Sequence, residues 1–272
     1  MAKQKDLKSW LQPVLVILLI VSAFAIGSMW TQIRMLKSGQ GSKATASPQT
    51  QQEPAAPKIT LNQVKSLFGQ DLIKFGDANK KVLFVEISDP SCPYCAAAAG
   101  KNPELNRQID LSNNRFKLTT DGGKYVAPVP EMRKLIDSGK AGFVFLYSPG
   151  HGNGEVAMKA LYCANEQGKF WQAHDILMSN KGYNLINNTV KNDMTQAQKV
   201  IDLVSPAVNA AQLKACLDSA KYDGRITSDP ETAKSLLGNS MGTPSFVVNT
   251  QSVLGAQPYD TAIKPLVDAA LK

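Results

Sequence analysis

Histidine is almost missing from this chain. Only His151 and His174 occur in 272 residues. His151 sits between glycines in a loop pattern, and His174 lies inside a helical pattern beside Trp171. Neither is assigned a catalytic role. Cysteine is scarce too, with four residues, all after position 90. Only one pair of them is close in sequence. Structural zinc sites draw on two closely spaced pairs, so a zinc reading is set aside and no metal is expected. No basic cluster with interleaved aromatics occurs, which argues against nucleic acid as a partner. No internal repeat is visible, which sets aside a solenoid.

Charge is unevenly placed. The net charge is +8, but residues 1–43 hold six basic side chains against one acidic, and the remainder holds 24 against 21. The basic balance therefore belongs largely to the N-terminus. There Lys3, Lys5 and Lys8 precede an uncharged run from Leu11 to Thr31, bracketed by Trp10 and Trp30. Some twenty residues at about 1.5 Å each match the roughly 30 Å of a bilayer's hydrocarbon core. Tryptophan at both ends fits the interfacial belts. Residues 1–37 are therefore expected to be an uncleaved single-pass anchor, with the membrane crossed by residues 11–31. A cleaved signal peptide ending near Ala23-Phe24-Ala25 is the competing reading. Both place the rest of the chain outside the cytoplasm, where disulfides persist.

Residues 38–57 are small, polar and Pro-rich, and read as a flexible linker. The folded domain is expected over 58–272. Its first elements are a helix from Thr60 to Leu67, with Thr60 the candidate N-cap, and a strand from Asp71 to Phe75. The run Val82 to Ile87 suits a strand buried on both faces. Asn106 to Pro130 carries Asn-Asn, Asp-Gly-Gly and two prolines. It reads as an inserted surface loop with a short hairpin, either a tolerated insertion or a cap over the site. Glu131 to Asp137 is a helix and Phe143 to Tyr147 a second buried strand. About 152–238 is helical, with breaks at Pro206, Asp223-Gly224 and Gly238. Ser245 to Asn249 and Ser252 to Leu254 are strands, followed by a final helix through Leu271.

The chemistry centres on Ser91-Cys92-Pro93-Tyr94-Cys95. Asp89-Pro90 breaks the preceding strand, and Ala96 to Ala99 favours helix. Cys92 should then sit in the first turn of a helix, just past the carboxyl end of a central strand. Orphan N–H groups and the helix dipole stabilise a thiolate there. A Cys-X-X-Cys pair in that setting reads as a redox motif. Glu86 is a carboxylate inside the buried strand, costly unless hydrogen-bonded or protonated.

The order of elements, with Asp89-Pro-Ser-Cys-Pro-Tyr-Cys95, Leu161-Tyr-Cys-Ala-Asn-Glu-Gln-Gly-Lys-Phe-Trp171 and Met241-Gly-Thr-Pro-Ser-Phe-Val-Val-Asn249, resembles the DsbA-like family of exported thiol:disulfide oxidoreductases. The resemblance covers roughly residues 70–272. It implies an α/β thioredoxin fold with an inserted helical domain, here preceded by a transmembrane helix. It implies that Cys92 is the exposed nucleophile, Cys95 the buried resolving thiol and Glu86 the buried proton acceptor. Pro93 and Tyr94 would tune the pair. Thr243-Pro244 would be the cis-proline loop that holds extended substrate. Cys163 and Cys216, in two helices of the insertion, are read as a structural disulfide, with a second redox pair as the alternative.

The expected function is a membrane-tethered thiol:disulfide oxidoreductase on the periplasmic or extracytoplasmic side, oxidising cysteine pairs in exported proteins. No dissociable cofactor is needed. A quinone-linked membrane partner would reoxidise the pair, or an electron donor would reduce it if the protein is a reductase. A reductase or isomerase of the same fold is one alternative. A non-catalytic chaperone or scaffold is another.

Overall fold

A computed structural model describes residues 58–272 apart from 112 and 240. The expected anchor (1–37, with its span 11–31) and the linker 38–57 lie outside the described residues. Among the described residues no helix is long and apolar enough to cross a membrane.

The fold is built on a five-stranded sheet in the order β1-β3-β2-β4-β5. Its strands are β1 Ile73–Phe75, β2 Val82–Ser88, β3 Ala141–Tyr147, β4 Ser245–Val248 and β5 Gln251–Leu254. β2 and β3 run parallel, and the other three pairings are antiparallel. Every residue of β2 and of β3 is buried, which is why both read as near-continuous apolar runs. Alternation divides β2 between two cores. Val82 and Phe84 join Phe143, Phe145 and Phe246 on one face. Leu83, Val85 and Ile87 join Val144, Leu146 and Val247 on the other. A one-residue slip would send Glu86 and Ser88 into that second, wholly apolar core, so the register also places the polar pair.

Helices cover both faces, as a mixed sheet of this kind requires. The second face is closed by α1, Leu61–Leu67, through Val64 and Leu67. Thr60 caps α1 as expected, and Gln63 returns the bond to complete a capping box. The first face is closed by the cysteine helix α2, Pro93–Ala99, which ends at Gly100 in the left-handed conformation, and by α4, Pro128–Asp137. α3, Pro103–Gln108, lies between them in the chain.

Two regions depart from expectation. Among the described residues of the stretch 106–130 there is no hairpin. One parallel bridge, Leu118 to Tyr125, stands in its place, and α4 begins already at Pro128. Nor is the stretch mere surface, because Phe116, Leu118, Tyr125 and Ala127 are buried in the main core. Single apolar residues spaced irregularly among polar ones carry no periodicity to read. The second departure is α10, Asp223–Leu237, which begins at the expected break Asp223-Gly224 but runs straight through Pro230. Buried Asp229 explains its persistence. It accepts from Tyr162 Oη at 2.7 Å, from the Tyr147 backbone N–H at 3.2 Å and from Arg225 Nε at 2.9 Å. That network ties α10 to β3 and outweighs the one backbone bond Pro230 forgoes.

The remaining helices of the insertion include α5, Glu155–Glu166, α6, Phe170–Leu177, α7, Asn180–Leu185, α8, Ala197–Val204, and α9, Ala210–Asp218. α11, Lys264–Leu271, ends the chain. α7 and the π turn that follows it, Ile186–Val190, were not separable in the sequence. A disulfide joins Cys163 of α5 to Cys216 of α9, with Cα atoms 5.9 Å apart. It closes a separation of 53 residues. Replacing both by alanine should cost about 4 kcal/mol in the chain-entropy account. Urea unfolding checks this, and an unchanged midpoint would show that packing alone holds these helices.

Candidate active site

The end of β2 delivers the chain to the sulfur atoms. Pro90 cannot continue the ladder, and Cys92 is extended at the N-cap of α2 with φ −78° and ψ 127°. Pro93 opens the helix, where its missing N–H costs nothing. The Cys92 carbonyl accepts from Ala96 N at 3.1 Å, and the Cys92 N–H donates to the Asp89 carbonyl at 3.0 Å. Cys92 and Cys95 are both free thiols in this structure.

Burial sets the two thiols apart less than expected. Cys92 is 4% exposed and Cys95 1%. The expectation of an exposed nucleophile is thus corrected, because the loops carrying Gly150 and Thr243 fold against it. Cys92 instead lines a cleft of about 410 Å³ with Pro93, Tyr94, Pro149, His151 and Thr243. Electrostatics separate the thiols more strongly. The Cys92 thiol is lowered to about 7, first by the hydrogen bond from Cys95, against desolvation, with help from the Thr243 side chain and the N–H groups of Cys95 and Tyr94. Burial pushes Cys95 well up, and the charge on Cys92 pushes it further. The Asp89 N–H donates to Cys95 Sγ at 3.4 Å.

The Thr243–Pro244 bond is cis. The Cys92 thiol donates to the Thr243 carbonyl at 3.4 Å, so this loop touches the Cys92 sulfur directly. Tyr94 is 45% exposed and borders a second cleft of about 340 Å³, lined also by Arg115, Phe116 and Gln257. The inserted stretch therefore walls the site. The Phe116 ring lies 5.6 Å from that of Tyr94, and Arg115 Nη2 donates to Gln257 Oε1 at 3.2 Å.

Asp89 is the residue that sequence reasoning undervalued. Read as a strand breaker, it is fully buried and accepts four hydrogen bonds. Oδ1 takes the Ser91 N–H and the Ser91 hydroxyl, each at 2.8 Å. Oδ2 takes the N–H groups of Gly150 at 2.8 Å and His151 at 2.9 Å. Gly154 is needed because a Cβ there would collide with Asp89 Oδ1, and Gly150 because a Cβ would collide with Thr243 Oγ1. From the π turn, Asn187 Nδ2 donates to the Ser91 carbonyl at 3.1 Å. No local signal pointed to Asn187. The glycines between Gly150 and Gly154 were the one visible hint of a close approach.

Glu86 is buried on β2, with Oε2 unpartnered. Burial raises its carboxyl to about 8, and an interaction with Ser88 pulls it partly back. Cys163 and Cys216 lie bonded in the helical insertion, apart from the free pair. His174 is fully buried against Phe145, Phe170 and Trp171, as a packing residue.

The family model described as Thioredoxin matches residues 129–269, just over half of the chain. This chain belongs to the thioredoxin family. The matched stretch starts beyond Cys92 and Cys95, so the family assignment is independent of that motif. The fold is shared with BdbD from Bacillus subtilis, 18% identical, over 79% of this chain and 97% of that one, with a TM-score of 0.52. It is shared with alpha-DsbA1 from Wolbachia pipientis, 18% identical over 74% and 93%, with a TM-score of 0.51. It is shared also with the thiol-disulfide exchange protein alpha-DsbA2 from the same organism, 16% identical over 77% and 93%, with a TM-score of 0.50. A curated protein, Na(+)/H(+) antiporter NhaA 3 from Salinispora tropica, is 25% identical over 188 residues. The aligned stretch is 68% of this chain but 22% of that protein, so this thioredoxin-family chain spans about a fifth of its length.

Two outcomes test the site. Glu86 has its folded-state titration raised, so it contributes stability that is complete below about pH 4.5 and is lost as pH rises through about 8. Glu86→Gln should therefore stabilise the protein at pH 9, on the order of a few kcal/mol, and change little at pH 4. Thermal melts across that range check it, and a pH-independent difference would refute the burial argument. Asp89→Ala strands four donors and should cost about 3 kcal/mol or more. Chemical denaturation measures the loss, and an effect below about 1 kcal/mol would show that water replaces the carboxylate.

Proposed function

We propose that this protein is a thiol:disulfide oxidoreductase that oxidises cysteine pairs in exported proteins from a membrane tether on the extracytoplasmic side. The observation that carries the reading is the Cys92 sulfur, held at the start of α2 against the Thr243–Pro244 loop with its thiolate favoured near neutral pH. Three features support it. The site faces a cleft that admits an extended chain. The protein holds a disulfide of its own, which suits an oxidising compartment. The uncharged run Leu11 to Thr31 supplies the tether.

In the forward direction Cys92 and Cys95 start as a disulfide. A substrate thiolate attacks Cys92 Sγ, the bond to Cys95 breaks, and Cys95 leaves as a thiolate and takes up a proton. A second substrate thiolate attacks the substrate sulfur of the mixed disulfide, and Cys92 leaves as a thiolate. Two electrons have passed from the substrate dithiol to Cys92 and Cys95. Reoxidation by a membrane partner, of a quinone-linked kind, completes the cycle. Favouring the Cys92 thiolate stabilises the reduced form and so makes the pair oxidising. Thr243 and Pro244 hold the substrate backbone, and Pro93 and Tyr94 present the nucleophile to it.

The second reading is a reductase. A thiolate titrating near 7 is also that of thioredoxin itself. Equilibration of the full-length protein with a glutathione series decides between them. A potential near about −120 mV supports the oxidase, and one near about −270 mV the reductase. Cys92→Ser should abolish exchange in both cases. Retained function in an exported-disulfide reporter with that variant would turn the reading to a scaffold.

A further inference from the structure

The mechanism asks Cys95 to gain or lose a proton while sealed from solvent. The charged group acting on it is Cys92, which pushes its proton affinity up, so the step needs a route. β2 places Glu86 and Ser88 two residues apart, so both side chains project from the same face, toward the side covered by α2. Ser88 lies between Glu86 and Asp89 on the chain, and the Asp89 N–H that follows it donates to Cys95 Sγ at 3.4 Å, so its side chain stands between the acid and the sulfur. Ser88 is fully buried, and neither its Oγ nor Glu86 Oε2 has a hydrogen-bond partner. Orphaned polar atoms are costly in a core. Two of them side by side, next to a reacting sulfur, mark a hydroxyl free to turn between donor and acceptor roles.

We propose that Ser88 relays the proton between Cys95 and Glu86. The inference rests on the oxidoreductase reading and deepens it, by naming the group through which the buried acid reaches the sulfur. In the resolving direction Cys92 is joined to a leaving thiol. The Cys95 S–H proton passes to Ser88 Oγ as the Ser88 proton passes to ionised Glu86. Cys95 then attacks Cys92 Sγ, the Cys92–Cys95 bond forms, and the other sulfur departs as a thiolate. In the oxidising direction the same three groups run in reverse. Glu86 protonates Ser88 as Ser88 protonates the departing Cys95 thiolate. A carboxyl raised to about 8 suits both directions at neutral pH.

Other groups facing this pocket are few. Cys92 approaches from α2, and Asp89, beyond β2, donates its N–H to Cys95. Tyr147 of β3 is paired with Ser88, and Tyr125 of the insertion is close enough to feel charge on Cys95. Both phenols are held strongly protonated by burial and do not compete as bases. Phe145 and Phe246 flank Glu86 on β3 and β4.

The test follows the reduced full-length protein with the aromatic disulfide dithiobis-nitrobenzoate. Cys92 attack releases the first thiol, and Cys95 resolution releases the second. Ser88→Ala should leave the first phase within about twofold and slow the second roughly ten- to a hundredfold at pH 7, recovering as pH rises. Glu86→Gln should slow the second phase similarly, and the double variant should be no slower than Glu86→Gln alone. Ser88→Thr, which keeps the hydroxyl, should restore the rate. An unchanged second phase in Ser88→Ala, or multiplying losses in the double variant, overturns the relay. Absence of any thiol release from the unsubstituted protein overturns the oxidoreductase reading instead. If Ser88→Ala does not fold, a proton inventory on the unsubstituted protein decides. A bowed dependence of the second phase on deuterium fraction supports two protons in flight, and a linear one refutes the relay.

Discussion

The carboxylate of Asp89 is the constraint on which the active-site geometry depends. It is fully buried, and it accepts from Ser91 on its own loop and from Gly150 and His151, some sixty residues away. Those four bonds fasten the segment that follows β2 to the segment that follows β3. Cys92 lies three residues beyond Asp89, and its N–H returns to the Asp89 carbonyl. The Asp89 N–H meets the second sulfur. One residue therefore sets the height of both thiols above the sheet. Glycine at 150 and 154 is the counterpart, since side chains there would collide with Thr243 and with Asp89.

Burial does opposite things within a few residues. It raises Cys95 and Glu86 because Ser88 and, at Cys95, the Asp89 N–H offset the loss of water only in part. At Cys92 the same desolvation is outweighed by donors aimed at the sulfur. The contrast follows first from the Cys95 thiol, which donates to Cys92, and then from helix geometry. Cys92 is the N-cap, with unpaired N–H groups just ahead of it, whereas Cys95 is inside the helix, where the backbone donors are already committed. A dithiol three residues apart is thereby divided into a thiol that loses its proton readily and one that holds it.

The inserted stretch belongs to the site as much as to the surface. α2 stops at Gly100, and the chain makes its excursion before α4 carries it back to β3. Phe116 and Tyr125 tie the excursion into the core, with their rings 5.3 Å apart, and the Tyr94 ring packs tilted against Phe116 at the rim. The helical insertion contributes from the other side, where Asn187 on a π turn grips the Ser91 carbonyl. π turns are costly and gather at such places.

What the sequence determined by itself is whatever local pattern encodes. The buried runs of β2 and β3, the cap at Thr60, the turn after Asp89 and the Cys-X-X-Cys spacing were all legible, because each follows from propensity, periodicity or a short motif within about ten residues. The resemblance carried by three separated motifs reached further, to the fold and to the pairing of Cys163 with Cys216. Only the tertiary structure decided the rest. The depth of Cys92, the four bonds on Asp89, the burial of Ser88, the burial of Phe116 and Tyr125, and the passage of α10 through Pro230 depend on partners tens of residues away. A single buried carboxylate or hydroxyl has no periodicity to reveal it. Its meaning is set by which donors and acceptors the fold brings within 3 Å, and that is a property of packing rather than of local pattern.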